Sequence, residues 1–565
     1  MNRRLREHWG LLIAVGSLWA TLAVMVLVSM ASNDWRLIYP LDDTYIHMAI
    51  AKNLALHGIW GVTPYGFTWS TSSPLWTALL GVGYRIFGVS DALPLILNAV
   101  LATLFCVTAY FLSARRGLEP SERLIALLLL IFLTSIPSLV MVGMEHVLQL
   151  YVVCVFIYFA AESLGNDHGA SPLLLVALAP IVSTSRYEGL FLIAPVVGLF
   201  LLRRRFGAAL LIAGAAVLPV VGLGIWSIEH GWRFLPNSLL IKGNLPTASA
   251  DAAVLQFVGR IVANIIRAPW LDVMGFAAAI ALAGALKYRG SIWSWPGVAL
   301  TLYLTMMATD IALARTGWRW FSRYDAYMIA AGIFIFGCIW HEPYCRQLFA
   351  RLNPPRLTFA SRALRFVVAL ALLPRAIAAV AFIPHATHLV YEQQYQIARF
   401  VKDFYSAQSV ALNDIGVVDY EADIKVIDVA GLATMAVADA MRTNRFDLAA
   451  AYEAGKTGGM QIGIVYTSLF PARPPRCWVE VGTWQLPKSA ALGSSGFTFY
   501  GYGDAQAERL RANLEAFRTR LPASIKTSFI GTSRAQRDQA LAGQSSACGD
   551  GAAANAPNAS RIVHR

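Results

Sequence analysis

Apolar residues fill long stretches of the first two-thirds of this chain, and the polar intervals between them are short. Runs at about 9–31, 92–113, 124–142, 147–163, 172–185, 188–202, 207–228, 271–286, 293–311, 326–341 and 364–383 approach the ~20 residues a helix needs to cross the hydrocarbon of a bilayer. The run 74–89 is too short for a comfortable crossing, and Ser73-Pro74 supplies an N-cap followed by proline at the first helical position. It reads as a juxtamembrane or half-inserted helix. Beyond residue 385 the long runs stop. A helical segment, YEQQYQIARFVKDFYSA, is followed by five strand-like pieces: SVALNDIGVVDY, IKVIDVAGL, MQIGIVYTSLF, CWVEVGTWQL and GFTFYGYG. This alternation predicts a small α/β domain over 385–540, and the Ala/Gly/Ser-rich 541–565 reads as a low-complexity tail.

Composition agrees. The 565 residues are 57% hydrophobic and 14% charged, against roughly 25% charged in soluble domains. The chain is therefore expected to be a polytopic α-helical membrane protein of about eleven spans over 1–384, with a C-terminal α/β domain. The first apolar run is too long for the core of a cleavable signal peptide and lacks a clear cleavage site. The net charge of +13 does not call for a nucleic acid partner. Its basic clusters at Arg3–Arg6, Arg115–Arg123, Arg203–Arg205, Lys287–Arg289 and Arg346–Arg365 follow the positive-inside rule. Placing them in the cytoplasm with an odd number of crossings puts the N-terminus inside and the C-terminal domain outside, as in a multi-pass protein of the inner (cytoplasmic) membrane. Of six cysteines, only Cys477 and Cys548 fall in the outer domain, where an oxidising compartment would let them pair.

This sidedness gathers the remaining polar loops, Asp34–Ser73, Gly143–His146, Ser185–Glu188, Glu229–Asn244 and Arg315–Asp325, on the outer face. Ionisable groups at membrane depth are costly and usually functional. Asp42 and Asp43 open a segment, TYIHMAIAKNLALHG, in which Ile46, Ala49, Ile50 and Leu54 share one helical face and Gly58 marks the stop. That predicts an amphipathic helix lying on the outer membrane surface. Its aspartates could cap the helix, hold a divalent cation, or take a proton from an attacking hydroxyl. Capping needs one of them, and consecutive helical residues point about 100° apart, so the second faces elsewhere. Trp69 and Trp76 sit among hydroxyls in GFTWSTSSPLWT, as in an interfacial aromatic belt or a sugar-binding surface. Asn237 and Lys242 in LPNSLLIKG, and Arg319 and Arg323 in WRWFSRYDAY, break the positive-inside pattern; anionic lipid headgroups or a bound phosphate would account for them. Glu145 in GMEH stands at a span boundary, and Arg186 and Glu188 in RYEG could pair with each other.

The aspartate pair after the first span, a juxtamembrane helix, TSSPLW, GMEH, RYEG, LPNSLLIKG and FSRYDAY occur in an order that resembles the GT-C superfamily of membrane glycosyltransferases. The closest likeness is to the mycobacterial terminal arabinofuranosyltransferases and their bacterial relatives. DIGVVDY and VIDVAGL also resemble the outer domain of that family. Tyr187 stands where the family has proline, and Ile241 where it has alanine before the lysine. The resemblance implies transfer of a sugar, arabinofuranose above others, from a polyprenyl-phosphate donor to a glycan or lipid-linked acceptor at the outer face. It implies Asp42 or Asp43 as catalytic carboxylate, Lys242, Arg323 and Arg319 around the donor phosphate, and Glu145, Arg186, Glu188, Asn237, Trp69 and Trp76 around the substrates. Mannosyl or aminoarabinosyl transfer within the same superfamily is the alternative. A lipid-linked sugar transporter is disfavoured, because the chain shows none of the internal repeats such folds carry.

Overall fold

A computed structural model describes residues 3–165, 171–242, 250–314, 321, 323–339, 354–442, 448–468, 474–475, 477–486 and 496–530. The expected runs fall on helices α1 (Arg3–Ala31), α4 (Ala92–Arg115), α5 (Pro120–Leu133) with α6 (Ile136–Val142), α7 (His146–Leu164), α8 (Leu173–Ser185), α9 (Leu190–Leu202), α10 (Phe206–Glu229), α13 (Pro269–Arg289), α14 (Trp295–Leu313), α15 (Ala326–Cys338) and α16 (Pro354–Glu392). Among the described residues, seven helices are long and apolar enough to cross a membrane, and α5 with α6, bent by 44°, makes an eighth. Three shorter apolar helices, Leu173–Ser185, Tyr187–Leu202 and Ala326–Cys338, match the other expected runs. The protein is thus a polytopic helical membrane protein with a C-terminal sheet domain.

Three helices depart from the plain run pattern. α2 (Asp42–His57) ends at Gly58 in the left-handed conformation (φ 71°), as expected. It is, however, not a surface helix with one apolar face: Thr44 to Ala51 are buried without interruption. It is packed between α3 (Pro74–Phe87) on one side and, on the other, the C-terminal domain, termed the outer domain after the side the charge pattern leads one to expect. α12 (Ala250–Arg267) was not among the expected runs; it turns Val254, Leu255, Val258 and Ile266 outward while Asn264 donates to the Ile311 and Ala314 carbonyls of α14 and its end. α16 carries the chain unbroken through 384/385 into the outer domain, breaking only at Gln393 before α17 (Gln394–Phe404).

The outer domain is built on a six-stranded sheet in the order β2-β1-β3-β5-β4-β6. Its strands are β1 (Ser409–Leu412), β2 (Lys425–Asp428), β3 (Ile462–Tyr466), β4 (Trp478–Gln485), β5 (Gly496–Tyr502) and β6 (Lys526–Phe529). β2, β1 and β3 run parallel, and the other pairs are antiparallel. β6 had no signal in the pattern. The piece SVALNDIGVVDY is a strand only as far as Leu412; Gly416–Glu421 is a helix, α18. Cys548 and the 541–565 tail, and with them the expected pairing of Cys477, lie outside the described residues.

Candidate active site

The site forms where the N-termini of α2 and α7 meet. Gly143 (φ 73°) turns the chain between α6 and α7, and a Cβ there would come within 2.5 Å of the Tyr39 ring and 2.8 Å of Thr44. That close approach lets the Thr44 hydroxyl donate to the Val142 carbonyl (2.6 Å) and brings Glu145 against α2.

The two aspartates divide. Asp42 accepts from the Gly416 N–H through Oδ2 and from the Val417 N–H through Oδ1, both at 2.8 Å. It therefore caps a helix, but α18 of the outer domain rather than its own. Gly416 is required there, since a Cβ would meet the Asp42 carbonyl oxygen at 2.0 Å and its Cγ at 2.9 Å. Burial first, then the charge of nearby Asp414, pushes the Asp42 carboxyl well above the usual range, against the pull of the two N–H groups. Asp43 points elsewhere: Oδ2 takes a 2.6 Å bond from Arg323 Nη2, and its side chain keeps 26% exposure while Arg323 keeps 4%. Arg323 also reaches the Tyr324 hydroxyl (3.1 Å) and the Met144 sulfur (2.7 Å). Burial opposes its charge, but Tyr324 and Asp43 hold its pKa above the ordinary value.

One turn along α2 from Asp43, His47 Nε2 lies 3.5 Å from Glu145 Oε2. Its Nδ1 meets the Thr77 and Thr71 hydroxyls at 2.8 and 3.1 Å. Glu145 is fully buried and pairs with Arg186 (2.5 Å), which holds Glu188 through both Nη2 (2.7 Å) and Nε (3.2 Å). Burial pushes the Glu145 carboxyl up, but His47, His146 and Arg186 together pull it down to about 2. Arg186 is thus shared by two carboxylates. His146, 1% exposed, sets its ring edge toward Tyr324, and neither ring nitrogen has a partner among the described residues. His47, His146, Met144 and Tyr324 were missed by sequence reading. For His47 a signal existed, its i,i+4 spacing from Asp43 on one helix face.

The other expected residues lie differently. Asn237 starts α11 (Asn237–Lys242) and donates to the Gly431 and Leu432 carbonyls of the outer domain at 3.1 and 3.3 Å. Ser70 donates to the same Leu432 carbonyl (2.8 Å). Gly431 is at φ 86° in a turn wrapped around Asp428, whose carboxylate accepts from the Ala430 and Ala433 N–H groups at 2.7 Å each. Asn237 is thus a docking residue in this structure rather than one facing open space. Trp69 and Trp76 are both fully buried. Trp69 stacks with Phe67 and meets Trp226 edge-on, so its faces are taken by protein. The side chain of Lys242 and the whole of Arg319 lie outside the described residues. As for a cation at Asp42 and Asp43, both Asp42 oxygens are held by backbone N–H groups and Asp43 by Arg323. Among the described residues no group of three or more His, Cys, Asp or Glu converges as metal ligands. Among the described residues, Asp42 and Asp43 therefore do not form a ligand set for a cation.

This arrangement, a bundle of apolar helices whose connecting loops converge against a C-terminal sheet domain, is similar in fold to solved structures. ArnT from Cupriavidus metallidurans superposes in its apo state with TM-score 0.51 at 14% identity, over 87% of this chain and 99% of that one. The same protein bound to undecaprenyl phosphate gives TM-score 0.50 at 12% identity over the same shares. The archaeal oligosaccharyltransferase AglB from Archaeoglobus fulgidus, in complex with an inhibitory peptide and a dolichol-phosphate, is more distant, at TM-score 0.42 and 14% identity, over 93% of this chain and 76% of that one. A family model described as a domain of unknown function, DUF8728, matches residues 383–500. No curated protein matches the sequence.

Proposed function

We propose that this protein is a membrane glycosyltransferase that moves a sugar from a polyprenyl-phosphate donor to a hydroxyl of a cell-envelope glycan at the extracytoplasmic face. The order of motifs favours arabinofuranose as that sugar. The observation that carries the reading is the Asp43–Arg323 pair. It is a carboxylate left partly open beside a buried guanidinium, at one end of a fold shared with a protein solved bound to undecaprenyl phosphate.

In this reading the acceptor hydroxyl attacks the anomeric carbon of the donor and its proton passes to Asp43. The bond from that carbon to the phosphate oxygen breaks, and the lipid phosphate departs with the electron pair. Negative charge grows on the leaving oxygen, where a fixed guanidinium stabilises it most. A donor phosphate drawn to Arg323 loosens the Asp43–Arg323 pair, so donor binding itself would free the base. Lys242, at the end of α11, would supply a second cation. The shared Arg186, with Glu145 and Glu188, holds the floor of the site as a rigid charged network rather than reacting. Asp42 is assigned to docking of the outer domain.

The test is turnover of a purified polyprenyl-phosphate sugar by full-length protein. Asp43→Asn should reduce transfer by about 10³-fold or more, the range for losing a catalytic group. Arg323→Ala should lower transfer and weaken donor binding. Wild-type turnover in Asp43→Asn sinks the assignment.

A further inference from the structure

The parallel strands β1, β2 and β3 all end at the same edge of the outer domain, and that edge meets the membrane module. Past β1 come Asn413, Asp414 and the Asp42-capped turn of α18. Past β2 comes the Asp428 turn that receives Ser70 and Asn237. β3 ends at Tyr466. Ligands of open α/β sheets bind outside the carboxyl ends of parallel strands, and here those ends carry a dense polar cluster.

Asp414 is its centre. Its Oδ2 accepts from Gln394 Nε2 (2.7 Å) and from the Tyr466 hydroxyl, and its Oδ1 accepts from Asn413 Nδ2 (3.1 Å). Gln394 Nε2 also reaches the Tyr466 hydroxyl (2.9 Å), and Asn413 Oδ1 accepts from the Tyr466 N–H (2.7 Å). The cluster is incompletely satisfied. Among the described residues, Gln394, 2% exposed, leaves Oε1 without a partner, and neighbouring Gln393, 1% exposed, leaves both amide atoms without one. A buried polar atom left unpaired costs about 1–3 kcal/mol, so such orphans call for a ligand or water. Asp414 also stands near the aspartate pair. Burial pushes its carboxyl up, against the bonds from Tyr466, Gln394 and Asn413, and the charge of Asp43 pushes it further.

We infer that this edge of the outer domain is the acceptor half of the site. Asp414, Gln394 and Tyr466 bind adjacent hydroxyls of a carbohydrate and present one toward Asp43. The inference rests on the glycosyl-transfer reading. A hydroxyl donates and accepts at once, which matches a carboxylate that accepts, an amide oxygen without a donor and a phenol between them. It also assigns a task to the region matched by the family of unknown function, since Gln393, Gln394, Asn413, Asp414, Asp428 and Tyr466 all lie within 383–500.

The experiment is saturation-transfer NMR on the full chain in a sugar-free detergent without any donor, using methyl arabinofuranoside and methyl mannopyranoside as soluble probes. An alkyl arabinofuranoside that enters the micelle serves as the lipid-linked probe. Wild type should receive saturation transfer with at least one probe. Asp414→Asn and Gln394→Met should each weaken that binding by about tenfold or more, the loss of a hydrogen bond to a buried polar group, with melting temperature reporting that each variant is folded. Signal from the soluble probes supports a polymer acceptor, and signal confined to the alkyl probe supports a lipid-linked one. No transfer to wild type, or equal transfer to wild type and both folded variants, overturns the inference. Because no donor is present, failure of the catalytic reading at Asp43 leaves this result standing on its own.

Discussion

Replacing Asp42 with alanine removes both acceptors from the first two N–H groups of α18 and should release the outer domain from the membrane module at that point. Hydrogen bonds to a charged group contribute about 1.5–3 kcal/mol each, which sets an upper range of about 3–6 kcal/mol for the two. Two features place the effect at the low end. Gly416 and Val417 regain water once the contact opens. Burial and Asp414 also push the Asp42 carboxyl up, so its charged form is less favoured than that of an ordinary capping aspartate. A loss of about 3 kcal/mol corresponds to roughly 150-fold in the ratio of open to docked contact. Other contacts across the same interface persist, notably Lys52 Nζ to the Tyr420 carbonyl (2.5 Å) and the Tyr420 hydroxyl to Asp91 (2.7 Å). Opening should therefore stay local to the first turn of α18, with Tyr420 holding its far end. Hydrogen exchange measured by mass spectrometry on peptides covering 409–423 of the full-length protein reads this directly. Protection in α18 should drop by about two orders of magnitude in Asp42→Ala and stay at the wild-type level in Asp43→Ala. Unchanged exchange in Asp42→Ala, or equal loss in both variants, refutes the division of roles.

Gly416→Ala should open the same contact from the other side, because its Cβ meets backbone that cannot step aside; overpacking of this kind costs about 1–3 kcal/mol, visible as faster proteolysis within 409–423. Glu145→Gln leaves Arg186 buried with Glu188 as its remaining carboxylate partner among the described residues. Breaking a buried pair costs about 3–5 kcal/mol, so the melting temperature should fall by several degrees, and an unchanged melt would show that the network contributes little. Asp428 is pushed by burial, against four backbone N–H groups, from 3.8 to about 6. A folded-state pKa above the unfolded one means that the stabilising contribution is full below the unfolded value and is lost as pH rises through 6. Two units correspond to about 3 kcal/mol. Wild type should therefore melt at a higher temperature at pH 5 than at pH 7, and Asp428→Asn should flatten that slope.

Much of the membrane module could be read along the chain. Eleven apolar runs, the cap at Ser73 and the stop at Gly58 are local signals, and helices formed where those signals lay. The list of candidate charged residues was also legible, since Asp43, Arg323, Glu145, Arg186 and Glu188 stand out in apolar surroundings and the structure brings them into pairs. The assignment of contacts to those residues was not. Asp42 and Asp43 are neighbours of the same chemistry. What separates them is a helix turn 374 residues away for one and a guanidinium 280 residues away for the other. The same distance effect explains α18: Gly-Val-Val-Asp-Tyr has the β-branched look of a strand, and tertiary capping by Asp42 overrides that weak local preference.

Burial was the other hidden quantity. Trp69 and Trp76 read as a belt or a binding surface because aromatic rings serve at interfaces and in cores alike, and packing against Phe67 and Trp226 decides for Trp69. α2 showed an apolar stripe as if for one membrane face, yet the outer domain covers its other side. Hydropathy along the chain sets which segments leave water, because that depends on the residues of the segment itself. Which carboxylate caps a distant helix, which pairs with a guanidinium and stays partly exposed, and which strand ends lie near it depend on partners hundreds of residues apart, and those meet only when the chain has folded.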